Sequence, residues 1–454
     1  MTETTAAPAE ARPPINWVTT ILFATTFLAA ITLVPWYGLT HGFSAAAWIW
    51  FFVFLAANGF SITAGYHRLW AHRAYEAHWS VRFVFMIFGA MALQNSILIW
   101  ATDHRRHHRY VDQNDGDPYS ARRGFWFSHI GWMLRYWKTG RNDFSNGKDL
   151  QADPIVMFQH RFYIPIVLAT NIGLPLLMGW LAGDLLGVFL LAGVLRLVLN
   201  HHFTFFINSL AHIWGTQPYN DNNTARDNPV LAFLTYGEGY HNFHHIFDRD
   251  YRNAIRWWQW DPTKWLIRSL AAAGLAGKLQ RVPDVTIERA RLAMQFKRAQ
   301  AALQQGGARH TLPQVEALRE RIAQEYEAFQ ATLAEWTRLR EQWYGARREQ
   351  LLQRWEEASF RTHVREIVYR LRMQRRRLGL LMAQLQPQPA CGPFAGRRGA
   401  LATPRAPSRR RRLARCLHAA RTRRRRGRAA AADRGGARGL AARARRAGRR
   451  RARA

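Results

Sequence analysis

Cysteine is almost missing: of 454 residues only Cys391 and Cys416 carry a thiol, and both lie in the last stretch of the chain. Residues 1–389 can form no disulfide and no thiolate-ligated zinc or iron–sulfur site. That excludes a disulfide-stapled secreted protein and leaves His, Asp and Glu to hold any metal there. Charge is missing as well. From Pro13 to His67 there are 55 consecutive residues without Asp, Glu, Lys or Arg, whereas a soluble domain is about a quarter charged. Lysine is absent from Ala390 to Ala454, which holds 23 Arg and a single acid, Asp433. This tail carries +22 of the formal net charge of +35 and leaves +13 for the remainder. A nucleic-acid partner, which such an excess suggests, is therefore disfavoured for the main body of the chain.

What is present instead is long apolar runs. A spanning helix needs about 20 mostly apolar residues, and four segments qualify: Trp17 to Pro35, Ala45 to Ala64, Ile164 to Leu181, and Leu185 to Ile207. They form two hairpins whose short turns, Trp36 to Ser44 and Ala182 to Asp184, contain no Lys or Arg. The segment between the hairpins and everything after the fourth span are rich in Arg. The positive-inside rule then places both termini and residues 68–163 on the cytoplasmic side, and a bacterial inner membrane is expected. A fifth uncharged run, Phe83 to Thr102, would reverse that sidedness if it crossed, and Gln94, Asn95 and Ser96 interrupt it. It reads as a helix lying in the interface or buried against the bundle.

Residues 1–16 are expected to be disordered. Beyond about Asp284 the pattern turns amphipathic. Gly306 and Gly307 break a first helix, and Thr311, Pro313 and Gln314 resemble a capped start. Leu318, Ile322, Phe329, Leu333 and Trp336 then recur at helical spacing, predicting a long helix or helical hairpin to about Leu385 that serves docking or self-association. The tail from 389 has too few large apolar residues to offset ordering entropy. Its Arg, Ala, Gly and Pro content resembles the out-of-frame reading of a GC-rich gene.

Nine of the 18 histidines form a pattern: His67 and His72 in HRLWAH, His104, His107 and His108 in HRRHH, His241, His244 and His245 in HNFHH, and His212 four residues after Asn208. On an α-helix the i, i+3 and i+4 positions share a face, so each HxxHH element is expected to offer two or three imidazoles to one point. The five-residue step from His67 to His72 suits a helix end that unwinds. All groups fall on one side of the membrane and can converge. One ion takes no more than six ligands, so nine imidazoles imply two metals, and neutral nitrogen donors suit iron, copper, zinc or nickel. Asp103, Asp115, Asp117 and Glu238 are available to orient the rings.

These elements, with Trp100-Ala-Thr-Asp-His104, Arg122-Arg-Gly-Phe-Trp-Phe-Ser-His-Ile-Gly-Trp132, Asn208-Ser-Leu-Ala-His212 and Gly237-Glu-Gly-Tyr-His-Asn-Phe-His-His245, strongly resemble the membrane fatty-acid desaturases, in particular the acyl-CoA Δ9 branch. The resemblance covers about residues 15–265. It implies an all-α integral membrane protein: four spans in two hairpins over residues 17–283, a cytosolic helical cap holding two iron ions, and a C-terminal amphipathic extension over 284–388. It further implies that the nine histidines are the ligands, with Asn208 holding a metal-bound water. The implied reaction is O2-dependent insertion of a cis double bond, by hydrogen abstraction, into a saturated acyl chain carried as acyl-CoA. The resemblance also implies that Trp100, Gln94 and Thr204 line the bend of an acyl tunnel whose floor lies near Leu55 and Gly59. Leu55 and Gly59 replace a larger Tyr and an Ala of the family, so a tunnel at least as deep is expected, and Phe205 stands where the family has Trp.

Trp100 reads equally as an interfacial anchor and Gln94 as a helix–helix hydrogen bonder. Arg196, inside the fourth span, is a functional suspect or half of an ion pair with a nearby acid. Arg122, Arg123 and Lys138 suit a phosphate-bearing carrier such as CoA, or anionic lipid headgroups. No haem-binding HPGG sequence occurs, so a separate electron-transfer protein is expected. Two rival readings stand beside this one: a membrane di-iron hydroxylase or ketolase, and, motivated by the charge, a basic nucleic-acid or membrane-surface adaptor.

Overall fold

Four helices are long and apolar enough to cross a membrane: Trp17–Thr40, Ala45–Ala71, Tyr163–Leu181 and Leu185–Ile213. They agree with the expected spans; the first, second and fourth run several residues further at their C-terminal ends, and the third begins one residue earlier. The structure is a computed structural model that describes residues 13–140, 142–305, 312–348 and 354–385. The arginine-rich tail, the Gly306–Gly307 break and Thr311 lie outside the described residues.

The outer ends of the two hairpins are tied by one acid. Asp184 accepts from the Tyr37 hydroxyl at 2.7 Å and from the Ser44 and Gly187 amides at 3.1 and 2.9 Å. It thereby serves both as a helix cap and as a cross-hairpin link. Arg196, fully buried in the fourth span, has no carboxylate partner among the described residues. Its guanidinium donates to Asn58 Oδ1, Asn171 Oδ1 and the Met91 and Ala192 carbonyls at 2.9–3.0 Å. The expected ion pair is thus replaced by neutral oxygens, one of them at the end of a helix whose terminal carbonyls lack intrahelical partners. This makes Arg196 a structural clamp.

The Phe83–Thr102 run is not one helix. It divides into the end of Trp79–Met91 and the start of Ile97–Tyr110. Leu93 and Asn95 between them adopt φ of 53° and 71°, and Ser96 caps the second helix through Ile99 N. The first part packs along the second span, where Asn58 Nδ2 donates to the Phe88 carbonyl at 2.8 Å. Burial against the bundle is therefore the correct half of the expectation. Residues 13–16, expected to be disordered, are held: Ile15 bridges Arg135, and the Arg135 guanidinium donates to the Pro13 carbonyl.

The cap is assembled from Ile97–Tyr110, His241–Ile246 and Pro262–Ala272, with a two-residue ribbon pairing Glu76–Ala77 to Ala276–Gly277. After it come Asp284–Gln305, Leu312–Arg348 and Arg354–Leu385, so the hairpin expected to extend to Leu385 is present and packs on a third helix. Leu318, Ile322 and Phe329 lie in that interface, with Leu333 and Trp336 at its edge. The extension also reaches the cap: Ile287 is buried with Tyr219, Phe243 and Phe247, the last two flanking the histidines of the His241–Ile246 helix.

Candidate metal centre

The histidines converge, but not as helical spacing alone suggests. Beyond Phe60 the second span widens into a π-helix, Ser61–Ala71. The His72 amide bonds the His67 carbonyl at 3.0 Å, an i→i+5 step that brings residues five apart onto one face. The His67–His72 spacing therefore marks a widened helix rather than an unwound end. In Ile97–Tyr110, His104 and His108 share one face while His107 points elsewhere. In His241–Ile246, His241 and His245 share a face while His244 departs. The result is two groups, His67, His72, His104, His108 and His244 in one and His107, His212, His241 and His245 in the other, with the donor atoms of each group within 4.8 Å of one another. Each HxxHH element thus serves two points, not one, because the i+3 side chain leans away from the i, i+4 pair.

The Nε2 atoms face inward. His67 and His244 approach to 3.0 Å, His72 and His104 to 2.9 Å, and His108 and His244 to 2.9 Å. In the second group His241 meets His212 at 3.1 Å and His245 at 3.0 Å. Five of the nine Nδ1 atoms lie near a group that can orient the ring. His107 Nδ1 lies 2.8 Å from Asp117, His67 Nδ1 3.0 Å from Glu238, and His72 Nδ1 3.8 Å from Asp248. His104 Nδ1 lies 3.2 Å from the Tyr119 hydroxyl, and His212 Nδ1 2.8 Å from that of Thr224, itself held by Asp112. With Nδ1–H given to a carboxylate, Nε2 presents a lone pair, and lone pairs turned on one another in a buried space call for a cation. Burial pushes His104, His108, His241, His244 and His245 well below the ordinary imidazole range, and His72 to about 4 despite Asp248. These six rings are neutral ligands at neutral pH. Largely buried and all-nitrogen, the two groups fit a pair of transition-metal ions.

Two of the expected orienting acids are not used in this way. Asp103 pairs with Arg106, and Asp115 is exposed. Asp248 takes a role that no sequence spacing indicated. Glu238 is anchored in turn. Burial would raise its carboxyl, but Arg68 and His67 hold it down at about 2. Arg68 is fully buried and also bonds Asp261 and the Tyr251 carbonyl. It stands one residue past the uncharged run, where an intramembrane charge is informative.

Of the positions expected to meet substrate, Trp100 lies against the first cluster. Gln94 Nε2 donates to Thr204 Oγ1 at 2.9 Å. Trp100 stacks on His104, with centroids 4.9 Å apart and planes at 22°. Phe205 packs within the bundle against Phe23 and His201. Asn208 is half-buried one turn before His212. Arg122 is exposed beside Asp112, and Arg123 lies over the Phe127 and Trp137 rings.

Gly59 does not face open space. The Tyr236 ring lies where its Cβ would be, and the Tyr236 hydroxyl donates to the Leu55 carbonyl at 3.1 Å. Gly59→Phe is therefore expected to overpack the site and cost about 1–3 kcal/mol, seen as a lower Tm. Adding Tyr236→Ala should restore part of that loss, and an unchanged Tm for the single variant would contradict the packing.

A family model described as Fatty acid desaturase matches residues 44–277. A probable acyl-CoA desaturase of Schizosaccharomyces pombe is 43% identical over 277 residues, covering 61% of this chain and 57% of that protein. Acyl-CoA desaturase 1 of Saccharomyces cerevisiae is 41% identical over 288 residues, covering 63% and 55%. An acyl-CoA Delta12-desaturase of Acheta domesticus is 42% identical over 232 residues, covering 49% and 64%. The match spans a little over half the length of each yeast relative.

Proposed function

Since this chain belongs to the fatty acid desaturase family, we propose that it is an O2-dependent desaturase that introduces a cis double bond at Δ9 of a saturated acyl chain carried on CoA. The observation that carries this reading is the division of nine histidines, seven of them buried and two half-buried, into two inward-facing groups, the first with Trp100 stacked on it. Two iron ions, when bound, supply the oxidising power needed to remove hydrogen from an unactivated methylene, which no side chain provides.

In this proposal the first group of histidines holds one ion and the second the other, with Asn208 completing the second through water. The chain's own residues then do the positioning. Glu238, Asp117 and Asp248 orient the rings, Trp100 walls the first cluster, and Gln94 with Thr204 shapes the bend that selects one methylene pair among chemically identical ones. Leu55 and Gly59, closed by Tyr236, mark the far end of the acyl path, so the deeper tunnel expected from their small size is not carried forward. Arg122 and Arg123 meet the phosphates of the carrier, and a separate protein delivers the electrons. The yeast relatives' names support an acyl-CoA substrate. The cricket relative is named a Δ12 enzyme, so the position of the bond is the finer part of the proposal. The chain is a multi-pass integral membrane protein. The relatives named here are eukaryotic, which gives no support to a bacterial inner membrane.

The test is incubation of the membrane-reconstituted protein with saturated acyl-CoA, a reductase system and O2. Δ9-monounsaturated product is expected; hydroxylated product would favour the hydroxylase reading, and a Δ12 product would move the bond. Deleting residues 390–454 is expected to leave the rate within about twofold, as for surface changes remote from a site. Abolished function after that deletion would favour the basic-adaptor reading.

A further inference from the structure

Outside this centre the cap carries an exposed aromatic turn. Trp257 is 84% exposed, Trp258 57%, Phe233 63% and Val230 59%, with Trp260 and Trp265 beside them at about 40%. A soluble surface rarely displays so many large rings together without a partner. The turn is also braced in this display. Asp261 accepts from the Asn253 and Ala254 amides at 2.9 and 3.1 Å, and the Lys264 ammonium donates to the Ala254 and Arg256 carbonyls at 3.0 and 2.9 Å. Phe233 packs on Trp260 with centroids 5.0 Å apart, joining the Pro229–Leu234 helix to the turn.

Neighbouring contacts fix the level of this patch relative to the spans. Tyr236, two residues after that helix, lays its ring on Gly59 and bonds the Leu55 carbonyl, and Thr263 meets Thr63 at 2.7 Å. Leu55, Gly59 and Thr63 all belong to the second span, and at 1.5 Å per residue Leu55 lies about 12 Å deeper along the helix than Thr63. The aromatic turn is thus continuous with the lipid-facing bundle at its histidine-bearing end. Cations accompany the rings: Arg256 lies 5.4 Å from the Trp258 centroid and Lys264 5.8 Å from that of Trp265. Indole rings alongside basic groups match the glycerol and headgroup layer of a bilayer.

We propose that Phe233, Trp257, Trp258, Trp260 and Trp265 form an interfacial foot that inserts into the headgroup layer of an anionic bilayer and seats the cap on the membrane. The occupant of this surface is lipid, not a second protein. Insertion buries the exposed rings, and Arg256 meets anionic headgroups at the rim.

The full-length protein is tested with Cys391 and Cys416 replaced by serine and one spin label introduced through Trp257→Cys. A second sample carries the label through Glu320→Cys, an exposed position on the Leu312–Arg348 helix. In nanodiscs of phosphatidylcholine with phosphatidylserine, power saturation compares access of O2 with that of a water-soluble nickel chelate. The ratio of O2 to chelate access at position 257 is expected to exceed that at 320 by about tenfold, as for a group at the acyl boundary. Equal ratios at the two positions overturn the proposal. So does shielding of position 257 from both reagents, because that result means a protein surface covers the turn.

Discussion

His107→Ala is expected to reduce desaturation by at least about 100-fold and to lower bound metal from two ions per chain towards one. The scale follows from outer partners of metal ligands, whose loss alone costs about 10–100-fold in affinity or activity. His107 belongs with His212, His241 and His245, whereas the other five histidines form their own group. His104→Ala should deplete the other group in the same way. Asp117→Asn should weaken the second group by the same 10–100-fold, because Asp117 holds His107 Nδ1 at 2.8 Å. Asp115→Asn, at an exposed position, should change nothing. The measurements are metal quantification by elemental analysis and product formation on acyl-CoA. Full metal content and activity in His107→Ala would refute the ligand assignment.

The second large effect is expected at Arg68. Its guanidinium reaches Glu238 at 2.9 Å and Asp261 at 3.0 Å, and all three side chains are at most 2% exposed. Arg68→Met leaves two buried carboxylates without their counter-charge, and breaking a buried pair in this way costs about 3–5 kcal/mol. Two functions should suffer together, since Glu238 orients His67 and Asp261 braces the aromatic turn. The expected result is a marked fall in Tm together with loss of metal. Arg68→Lys should recover little, because an ammonium cannot supply the fork that bonds both acids and the Tyr251 carbonyl. An Arg68→Met protein with wild-type Tm and metal content would show that the triad is not the support described here.

Both predictions show how legibility divides. The nine histidines, the spans and the hairpin connections were readable from type and spacing, because apolar length and helical periodicity are local properties. The split of each HxxHH element between two groups was not readable. It depends on the angle between Ile97–Tyr110 and His241–Ile246, and on the widened helix from Ser61 to Ala71, which spacing at His67 and His72 only hinted at. The orienting groups show the same limit. Asp117 follows its histidine by ten residues and was found, whereas Asp248 and Thr224 reach their rings through tertiary approach. Tyr236 against Gly59 is a contact 177 positions apart in the chain, and a missing side chain in a sequence does not reveal what fills its place.

The sequence by itself determined a membrane-embedded, cysteine-free body with an imidazole-based candidate metal centre, because hydropathy and donor chemistry belong to residues taken singly or in short runs. Only the tertiary structure decided that the centre has two groups of five and four histidines. It also decided that Arg196 clamps neutral oxygens while Arg68 carries the buried acids, and that the extension backs the third histidine element through Ile287. These are matters of distance and direction between segments far apart in the chain, which burial and packing set and no local pattern encodes.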